Sequence, residues 1–284
     1  MRRAVTTALL LFWLSGAGLY GQRKTPVVRQ VDHVLIESKD PQSLFSFFAE
    51  TLQLPVAWPM NQNRSYSTGG VGAGNVNLEL FAYSGNASPA RTRYYGIAFE
   101  PYPLDDALRR LQFLSIPYDK PASVMSILPN GSNGVAWTTV VLPTLSKPGM
   151  SIFLSEYSPS FLKVDVRRKQ LGNRLMLNHG GPLGVRGVGE ILIGSTTLKK
   201  DLAAWSLMIG KPTDSGTLRP INGPAIRISA DSADQIREIT FRVESLSNAK
   251  SFLVKNKLLG AKSGNRIYLN SVKLQGLRVA LTDK

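Results

Sequence analysis

The predicted order of strands and helices repeats four times along this chain of 284 residues. Each repeat opens with a strand of alternating apolar residues, continues with an amphipathic helix, and in its fullest form closes with three extended segments. One such unit has a single apolar sheet face, so two units must combine to close a core. The sequence therefore predicts an α+β fold in which four βαβββ modules pair into two domains. The opening strands are VDHVLIES (31–38), RYYGIAFEPY (93–102), GVGEILIGS (187–195) and IREITFRVES (236–245).

Helix signals follow each opening strand. Asp40-Pro41 places a capping side chain before a proline at the first helical position, which predicts a helix start there. Leucines at helical spacing predict a second helix over 104–116, and Gly210 is the expected end of a third over 197–210. The fourth helix is predicted over 249–259, ending at Gly260. A further helix is expected over 161–177 between the two domains, followed by the loop NHGGPLG.

The N-terminus has the pattern of a signal peptide. Arg2 and Arg3 precede the apolar run AVTTALLLFWL, and small residues follow it. At about 1.5 Å per residue this run is too short to cross a bilayer core of about 30 Å. We therefore expect export to the periplasm or the medium, cleavage near Ala17 or Gly21, and no stable membrane anchor afterwards. The expected divisions are a signal peptide (1–21), a first domain (30–158), a connector (159–183) and a degenerate second domain (184–284).

Composition excludes several kinds of site and leaves a polyanion-binding surface as a hypothesis. The chain has no cysteine, which excludes disulfides, Cys-ligated zinc and thiol nucleophiles. Its net charge of +15 lies mainly in residues 163–284, which hold 21 Lys and Arg against 9 Asp and Glu. The basic residues are scattered without a nucleic-acid-binding motif, so a nucleic-acid partner is not expected. Binding of a polyanion by this half is a separate hypothesis, which salt-dependent retention on a heparin-like resin would test.

The opening xDHVxIxxxDPxxxxxFFxxxLxLPV and the paired modules resemble the glyoxalase / bleomycin-resistance / extradiol-dioxygenase superfamily, also called vicinal oxygen chelate (VOC) proteins. The resemblance covers nearly all of the chain after the signal peptide. It implies two glyoxalase-like cups of strands, in which the opening and closing strands of each module can each donate one ligand to a divalent metal ion. The superfamily includes lyases, isomerases, dioxygenases, resistance proteins and inactive copies, so the resemblance does not specify a reaction. Relatives often form homodimers, so the expected partners are a second copy of the chain and a small-molecule ligand.

Transferred position by position, the resemblance places metal ligands at His33 and Glu79 in the first module. In the second module the matching positions are Gly96 and Phe153, whose side chains cannot bind metal. In the third and fourth modules the matching positions hold no convincing set of ligands: Glu190, a residue near Arg227, Glu238, and Ala280 or Arg278.

A facial metal site needs a third ligand, for which the candidates are Glu156 and His179. An odd offset of three residues from Phe153 predicts that Glu156 faces the other side of its strand. His179 lies in the connector loop, where a structural role is the alternative.

Two hypotheses for the function follow. The first is an exported protein that binds a small aromatic or anionic molecule in the first cup, with a degenerate metal site and no cofactor. Its candidate ligand-binding residues are Arg93, Tyr95, Tyr83 and Phe153. The second is a lyase, isomerase or dioxygenase that uses His33 and Glu79 to hold one divalent ion of iron, zinc, nickel or manganese. No catalytic residue is identified by the sequence.

Overall fold

The computed structural model describes residues 26–62, 66–83 and 91–284, and the predicted signal peptide lies outside them. The first half of the chain contains two successive modules, each with one helix and four strands. The first module consists of β1 (Val28–Glu37), α1 (Pro41–Ser46) continued by a π-helical turn (Phe47–Thr51), β2 (Val56–Gln62), β3 (Tyr66–Gly72) and β4 (Asn77–Tyr83). The second consists of β5 (Arg93–Pro101), α2 (Leu104–Phe113), β6 (Ala122–Ile127), β7 (Asn133–Val141) and β8 (Ser151–Tyr157).

A connecting helix and two more modules form the second half. The connection consists of α3 (Val164–Leu177) and a 3-10 turn (Gly181–Leu183). The third module has β9 (Val185–Ser195), α4 (Leu198–Ile209), β10 (Thr217–Leu218) and β11 (Ala225–Ala230). The fourth has β12 (Gln235–Val243), α5 (Leu246–Lys255), β13 (Leu259–Ser263), β14 (Arg266–Leu269) and β15 (Val279–Thr282). The third module is therefore one strand shorter than the βαβββ unit predicted from the sequence.

The strand order explains how two modules close one core. In the first half the order is β2-β3-β4-β1-β5-β8-β7-β6, so the two opening strands lie side by side at the centre. In the second half the corresponding order is β10-β11-β9-β12-β15-β14-β13. Opening and closing strands of one module are parallel, whereas the two opening strands are antiparallel. Both halves belong to one continuous sheet, and we call the inner faces of its two parts the first cup (β1–β8) and the second cup (β9–β15).

Successive side chains of the opening strand β1 point alternately towards the helix and towards the cup. Val34 and Ile36 of β1 are completely buried, and they belong to the same apolar core as Leu44 and Phe48 of the first helical segment. The helix begins where the sequence predicts, because the Asp40 carboxylate accepts a hydrogen bond from the Ser43 backbone N–H at 2.9 Å. The side chains between these positions therefore remain available to the inner face of the sheet.

The fourth helix differs from its prediction. It spans Leu246–Lys255 rather than 249–259, because Ser245 caps it by accepting a hydrogen bond from the Asn248 backbone N–H at 3.2 Å. Lys257 then adopts a left-handed φ of 57°, and the chain enters β13 two residues later. Gly260 is therefore part of a strand and not the end of the helix. A helix with the length and hydropathy to cross a membrane is not found among the described residues.

Candidate functional site

Strand register relates the two modules of the first cup by a local twofold axis. His33 pairs with Ala98, and Gly96 pairs with Leu35. Ala98 lies two residues after Gly96, and Leu35 lies two residues after His33. Exchanging the two strands therefore exchanges the two pairs. His33 and Gly96 therefore occupy equivalent positions in their modules.

The closing strands follow the same register. Leu35 of β1 pairs with Glu79 of β4, and Ala98 of β5 pairs with Phe153 of β8. Glu79 and Phe153 are consequently equivalent, and all four positions face the first cup. The twofold position of a histidine holds a glycine, and the twofold position of a glutamate holds a phenylalanine.

His33 lies on the floor of the first cup between two carboxylates. Its Nδ1 is 2.7 Å from Asp32 Oδ2, and its Nε2 is 3.3 Å from Glu79 Oε2. The other Glu79 oxygen accepts a hydrogen bond from the Thr68 hydroxyl at 2.8 Å. A register shift between Val31 and His33 allows Asp32, the neighbour of His33 in sequence, to face the same polar group.

Asp32 also connects this floor to the rest of the molecule. The Tyr157 hydroxyl donates a hydrogen bond to Asp32 Oδ2 at 3.4 Å. Arg168, from the connecting helix α3, lies 3.5 Å from the other oxygen of Asp32 and 2.6 Å from Glu100. The connector therefore supplies a positive charge to the outer side of the floor.

Burial and neighbouring charges act in opposite directions on His33. Burial alone would lower the pKa of His33, but the hydrogen bond to Asp32 and the negative charges of Glu79 and Asp32 outweigh it, so the pKa is raised. The pKa of Tyr157 is raised well above its usual value, first by burial and then by the nearby charge of Asp32. The floor thus favours a protonated imidazole and a neutral phenol.

Phe153 and a second group of side chains form the walls of the cup. The Phe153 ring packs edge-on against the His33 ring, with 6.0 Å between centroids. Four residues along β1 from His33, Glu37 accepts a hydrogen bond from Arg93 Nε at 2.8 Å. The guanidinium of Arg93 lies over the Tyr95 ring at 5.4 Å.

Aromatic rings continue this second group towards the edge of the cup. Phe81 packs edge-on between Tyr83 and Tyr95, with centroid distances of 5.5 and 5.4 Å. The Tyr83 side chain is exposed. Of the four predicted ligand-binding residues, Arg93, Tyr95 and Tyr83 are therefore together at the mouth, and Phe153 is on the floor beside His33.

The two candidates for a third metal ligand lie elsewhere. The Glu156 carboxylate faces the opposite side of β8 and accepts a hydrogen bond from the Leu104 backbone N–H at 2.7 Å, at the start of α2. This orientation is the one that the odd offset from Phe153 predicts. His179 is exposed at the end of α3 with a left-handed φ of 50°. Neither residue belongs to the floor.

The donor atoms on the floor fit two vertices of a metal site. A separation of 3.3 Å between His33 Nε2 and Glu79 Oε2 suits two ligands of one ion, and a carboxylate on Nδ1 is the usual outer partner of a metal-binding histidine. The third and fourth vertices would fall on Gly96 and Phe153, which offer no donor. Across the described ranges, no group of three His, Cys, Asp or Glu residues converges on a point suited to a metal ion. The residues present therefore do not complete a metal site.

The second cup has arginines where ligands would be needed. The register rule places Glu190 and Glu238 at its opening positions and Arg227 and Ala280 at its closing positions, so Ala280 rather than Arg278 is the fourth position.

These two glutamates are held by guanidinium groups. Glu190 contacts Arg227 at 3.1 Å and Arg266 at 3.0 Å, and Glu238 contacts Arg266 at 3.1 Å and Arg278 at 3.2 Å. Burial alone would lower the pKa of Arg266, but its hydrogen bond to Glu190 and the surrounding carboxylates raise it. This network satisfies both carboxylates without a metal ion.

Several residues of the first cup are not indicated by the sequence reasoning. Tyr157 lies four residues after Phe153, so strand alternation was a usable signal for its position. Asp32 is adjacent to His33 and would be assigned to the opposite face without the register shift. Arg168 comes from a helix whose packing no local pattern discloses.

Comparison with known proteins shows similarity in structure but not in sequence. No protein-family model matches the chain, and no curated protein matches it. A hypothetical protein from Staphylococcus aureus superposes with a TM-score of 0.61 at 10% identity, covering 89% of this chain and 98% of that one.

Two enzyme structures have a similar extent of overlap. Homoprotocatechuate 2,3-dioxygenase from Brevibacterium fuscum, in complex with 3,4-dihydroxyphenylacetate, has a TM-score of 0.58 at 10% identity, covering 90% of this chain and 81% of that one. A mutant of 4-hydroxymandelate synthase from Streptomyces coelicolor also has a TM-score of 0.58 at 10% identity, with 90% and 92% coverage. These identities establish the fold and not the reaction. The chain shares the α+β fold of these structures, and this is the fold that its resemblance to the glyoxalase / bleomycin-resistance / extradiol-dioxygenase (VOC) superfamily predicts.

Proposed function

We propose that the first cup binds a small aromatic molecule that carries hydroxyl groups at one end and a negative charge at the other. The observation that carries this proposal is the arrangement of Glu79 and Phe153 on the floor with Arg93 at the mouth. Glu79 accepts hydrogen bonds, Phe153 offers a ring to pack against, and Arg93 offers a cation. Glu37, which holds Arg93, lies four positions after His33 along β1, so floor and mouth are about 13 Å apart along the strand.

A dihydroxyphenyl carboxylate is the natural probe for this site. Homoprotocatechuate 2,3-dioxygenase, which has the same fold, forms a complex with 3,4-dihydroxyphenylacetate. In the first cup such a molecule would donate its hydroxyls to Glu79, stack its ring near Phe153 and present its carboxylate to Arg93. The protein then acts as a binding or sequestering protein, because the floor lacks the ligands of a complete metal site.

Isothermal titration calorimetry with 3,4-dihydroxyphenylacetate tests the proposal. We expect one molecule to bind per chain, and Phe153→Ala to weaken binding by about tenfold, since a lost ring contact costs roughly 1–1.5 kcal/mol. Glu79→Gln should weaken binding because it replaces a charged acceptor with a neutral one. Phe113→Ala makes the same truncation on an exposed face of α2, and binding should not change. Equal binding by the Phe153 and Phe113 variants would reject the first cup as the site.

A divalent-metal enzyme is the second candidate, favoured by the spacing of His33 Nε2 and Glu79 Oε2. Metal analysis of protein purified after supplementation with iron, zinc, nickel or manganese separates the two functions. We expect Phe153→Glu to retain a divalent ion at least about tenfold more tightly than the unaltered protein, because it supplies a third donor. If the unaltered protein holds one ion per chain and His33→Ala loses it, the metal-dependent candidate is supported and a metal-free binding site is rejected.

Export is part of the same proposal and rests on residues 1–21 alone. Cleavage near Ala17 or Gly21 would release the binding domain into the periplasm or the medium. Sequencing the N-terminus of the protein from that fraction should give a start a few residues after one of these positions. Protein that keeps Met1 and stays in the cytosol would contradict export without affecting the ligand-binding proposal.

A further inference from the structure

A cavity of about 730 Å³ lies between the two halves, where the start of β5 meets the start of β12. Its walls come from four stretches that are distant in sequence: residues 91–94, residues 148–149, residues 233–237, and the turn 275–278. The volume is in the range of small-molecule sites. The cavity borders the mouth of the first cup, with which it shares Arg93, and no family ligand position lines it.

The cavity is lined by more positive than negative charge. Four arginines contribute to its walls: Arg91, Arg93, Arg237 and Arg278. Asp234 is the acidic residue of the lining, and its carboxylate is engaged by the Thr196 backbone N–H at 2.7 Å and by the Thr196 hydroxyl. The Asp234 carboxylate is therefore already hydrogen-bonded to Thr196 in the adjoining loop.

Two of these guanidinium groups are held from behind. Arg93 contacts Glu37 through Nε at 2.8 Å, and Arg237 contacts Asp231 through Nε at 3.2 Å. Neither carboxylate belongs to the cavity lining. A guanidinium has five N–H donors, so the hydrogen bond from Arg93 Nε to Glu37 orients that group and leaves its terminal amino groups to bind an oxyanion, whereas Arg237 makes only an ion contact with Asp231. A side chain at Gly149 would collide with one terminal amino group of Arg93, so glycine permits this placement.

The remaining wall is held by one ion pair within the second half and by hydrogen bonds between the halves. Arg278 is held by Glu238 at 3.2 Å, and its backbone carbonyl accepts a hydrogen bond from the Tyr94 hydroxyl at 2.9 Å. Gln275 accepts hydrogen bonds from the hydroxyls of Ser38 and Thr92, both at 2.7 Å. These contacts order the C-terminal turn against the first half. The cationic groups are therefore preorganised for a ligand, which lowers the cost of binding.

An adjoining cavity of about 460 Å³ extends this surface. It shares Arg91, Thr92 and Gln275 with the first cavity and adds Lys39 and Asp40. The Asp40 carboxylate already caps α1. The lining of the combined groove carries five Lys and Arg side chains against two Asp side chains, and the carboxylates that pair with Arg93, Arg237 and Arg278 lie outside the lining.

We propose that this groove between the halves binds a small organic polyanion with at least two phosphate or carboxylate groups. The four arginines come from three separate segments of the lining, so a ligand with more than one oxyanion group can pair with several of them. Apolar residues at Pro148, Ile236 and Leu277 provide contact for a carbon skeleton between those groups. The groove shares Arg93 with the site proposed in the first cup, and its other cationic groups are not part of that site.

Isothermal titration calorimetry with pyrophosphate and with citrate, each at low and high sodium chloride, tests this site. We expect at least one of the two probes to bind as a single molecule per chain, with an affinity that falls as salt rises. Pyrophosphate alone would identify a phosphate ligand, and citrate alone a carboxylate ligand. Absence of saturable binding by both probes would overturn the proposal.

Variants locate the binding in the groove. Arg278→Gln should weaken binding by about tenfold or more, and Glu238 keeps its second partner Arg266 in that variant. Gln235→Glu adds a negative charge to the lining without removing an ion pair and should weaken binding similarly. Arg219→Gln makes the same charge change on an exposed loop outside the groove and should leave the affinity unchanged, as should His33→Ala.

Circular dichroism confirms that each variant is folded before titration. If Arg219→Gln weakens binding as much as Arg278→Gln, general attraction to a basic protein explains the result and the groove is rejected. If His33→Ala abolishes binding, the probe occupies the first cup instead.

Discussion

His33 combines two properties that rarely coexist in one side chain. It is buried, and both of its ring nitrogens face carboxylates, Asp32 on one side and Glu79 on the other. Burial disfavours the charged imidazole, and the carboxylates favour it more strongly. His33, Asp32 and Glu79 therefore form a largely buried polar triad on the floor of the first cup. The raised pKa of His33 links the stability of the fold to pH.

The raised pKa of His33 predicts a pH dependence of stability. Because the folded-state pKa lies above the unfolded value of 6.5, the folded protein binds the proton more tightly. This contribution is complete below about pH 6.5 and is lost as pH rises through the folded pKa. We expect the free energy of unfolding in urea to fall over that interval, with a slope of at most about 1.4 kcal/mol per pH unit for one proton.

A variant of each histidine separates this effect from other titrations. His33→Gln should remove the fall in the unfolding free energy above pH 6.5. His179→Asn changes the chain's other histidine, which is exposed and left-handed in φ, to a residue that tolerates that conformation. The His179 variant should keep the pH dependence. If His33→Gln keeps it as well, the buried triad does not control this transition.

Secondary-structure elements could be predicted from the sequence wherever local signals were strong. Alternation identified every opening strand, and Asp40-Pro41 identified the start of α1. The fourth helix begins earlier than predicted because Ser245 caps it, and Gly260 belongs to β13 instead of ending the helix. The pairing of His33 with Glu79 followed from the family positions, whereas Arg168 and the groove between the halves depend on contacts distant in sequence, which local patterns do not contain.

The cap of α2 is an interaction between elements that tests this view of Glu156. Pro103 precedes the helix, and its side chain has no group that accepts a hydrogen bond. The Glu156 carboxylate of β8 instead accepts a hydrogen bond from the Leu104 backbone N–H. Glu156→Ala should lower the unfolding free energy by about 1 kcal/mol, as the loss of a helix cap does. Glu156→Gln retains an oxygen acceptor and should cost less.

Chemical denaturation of the two Glu156 variants gives the comparison directly. Metal and ligand binding by the first cup should be the same for both variants and the unaltered protein, because Glu156 faces the opposite side of β8. A loss of first-cup binding in Glu156→Gln without a loss of stability would assign the residue to the site instead of the cap.

At the scale of the whole molecule, the two halves form one continuous sheet. Tyr94 of β5 pairs with Ile236 of β12, so the strands of both cups are joined through backbone hydrogen bonds. Lys147 and Asp201 form an ion pair at 2.7 Å across the same boundary. Burial alone would raise the pKa of Asp201, but hydrogen bonds from Lys147 and Ser195 lower it. The groove between the halves is therefore bordered by residues that contacts between the two halves hold in place.

Apolar packing across the boundary predicts that the halves unfold together. Phe99 from β5 and Trp205 from α4 are both buried, and their rings pack edge-on with centroids 6.0 Å apart. We expect one transition in differential scanning calorimetry, coincident with the loss of circular dichroism. Trp205→Ala should lower the unfolding free energy by about 3–5 kcal/mol because it leaves a cavity in this shared core. Trp137→Ala, at a half-buried position within the first half, should cost less. Two separate transitions, only one of which shifts in Trp205→Ala, would show that each half folds on its own and that the groove is a contact between independent domains.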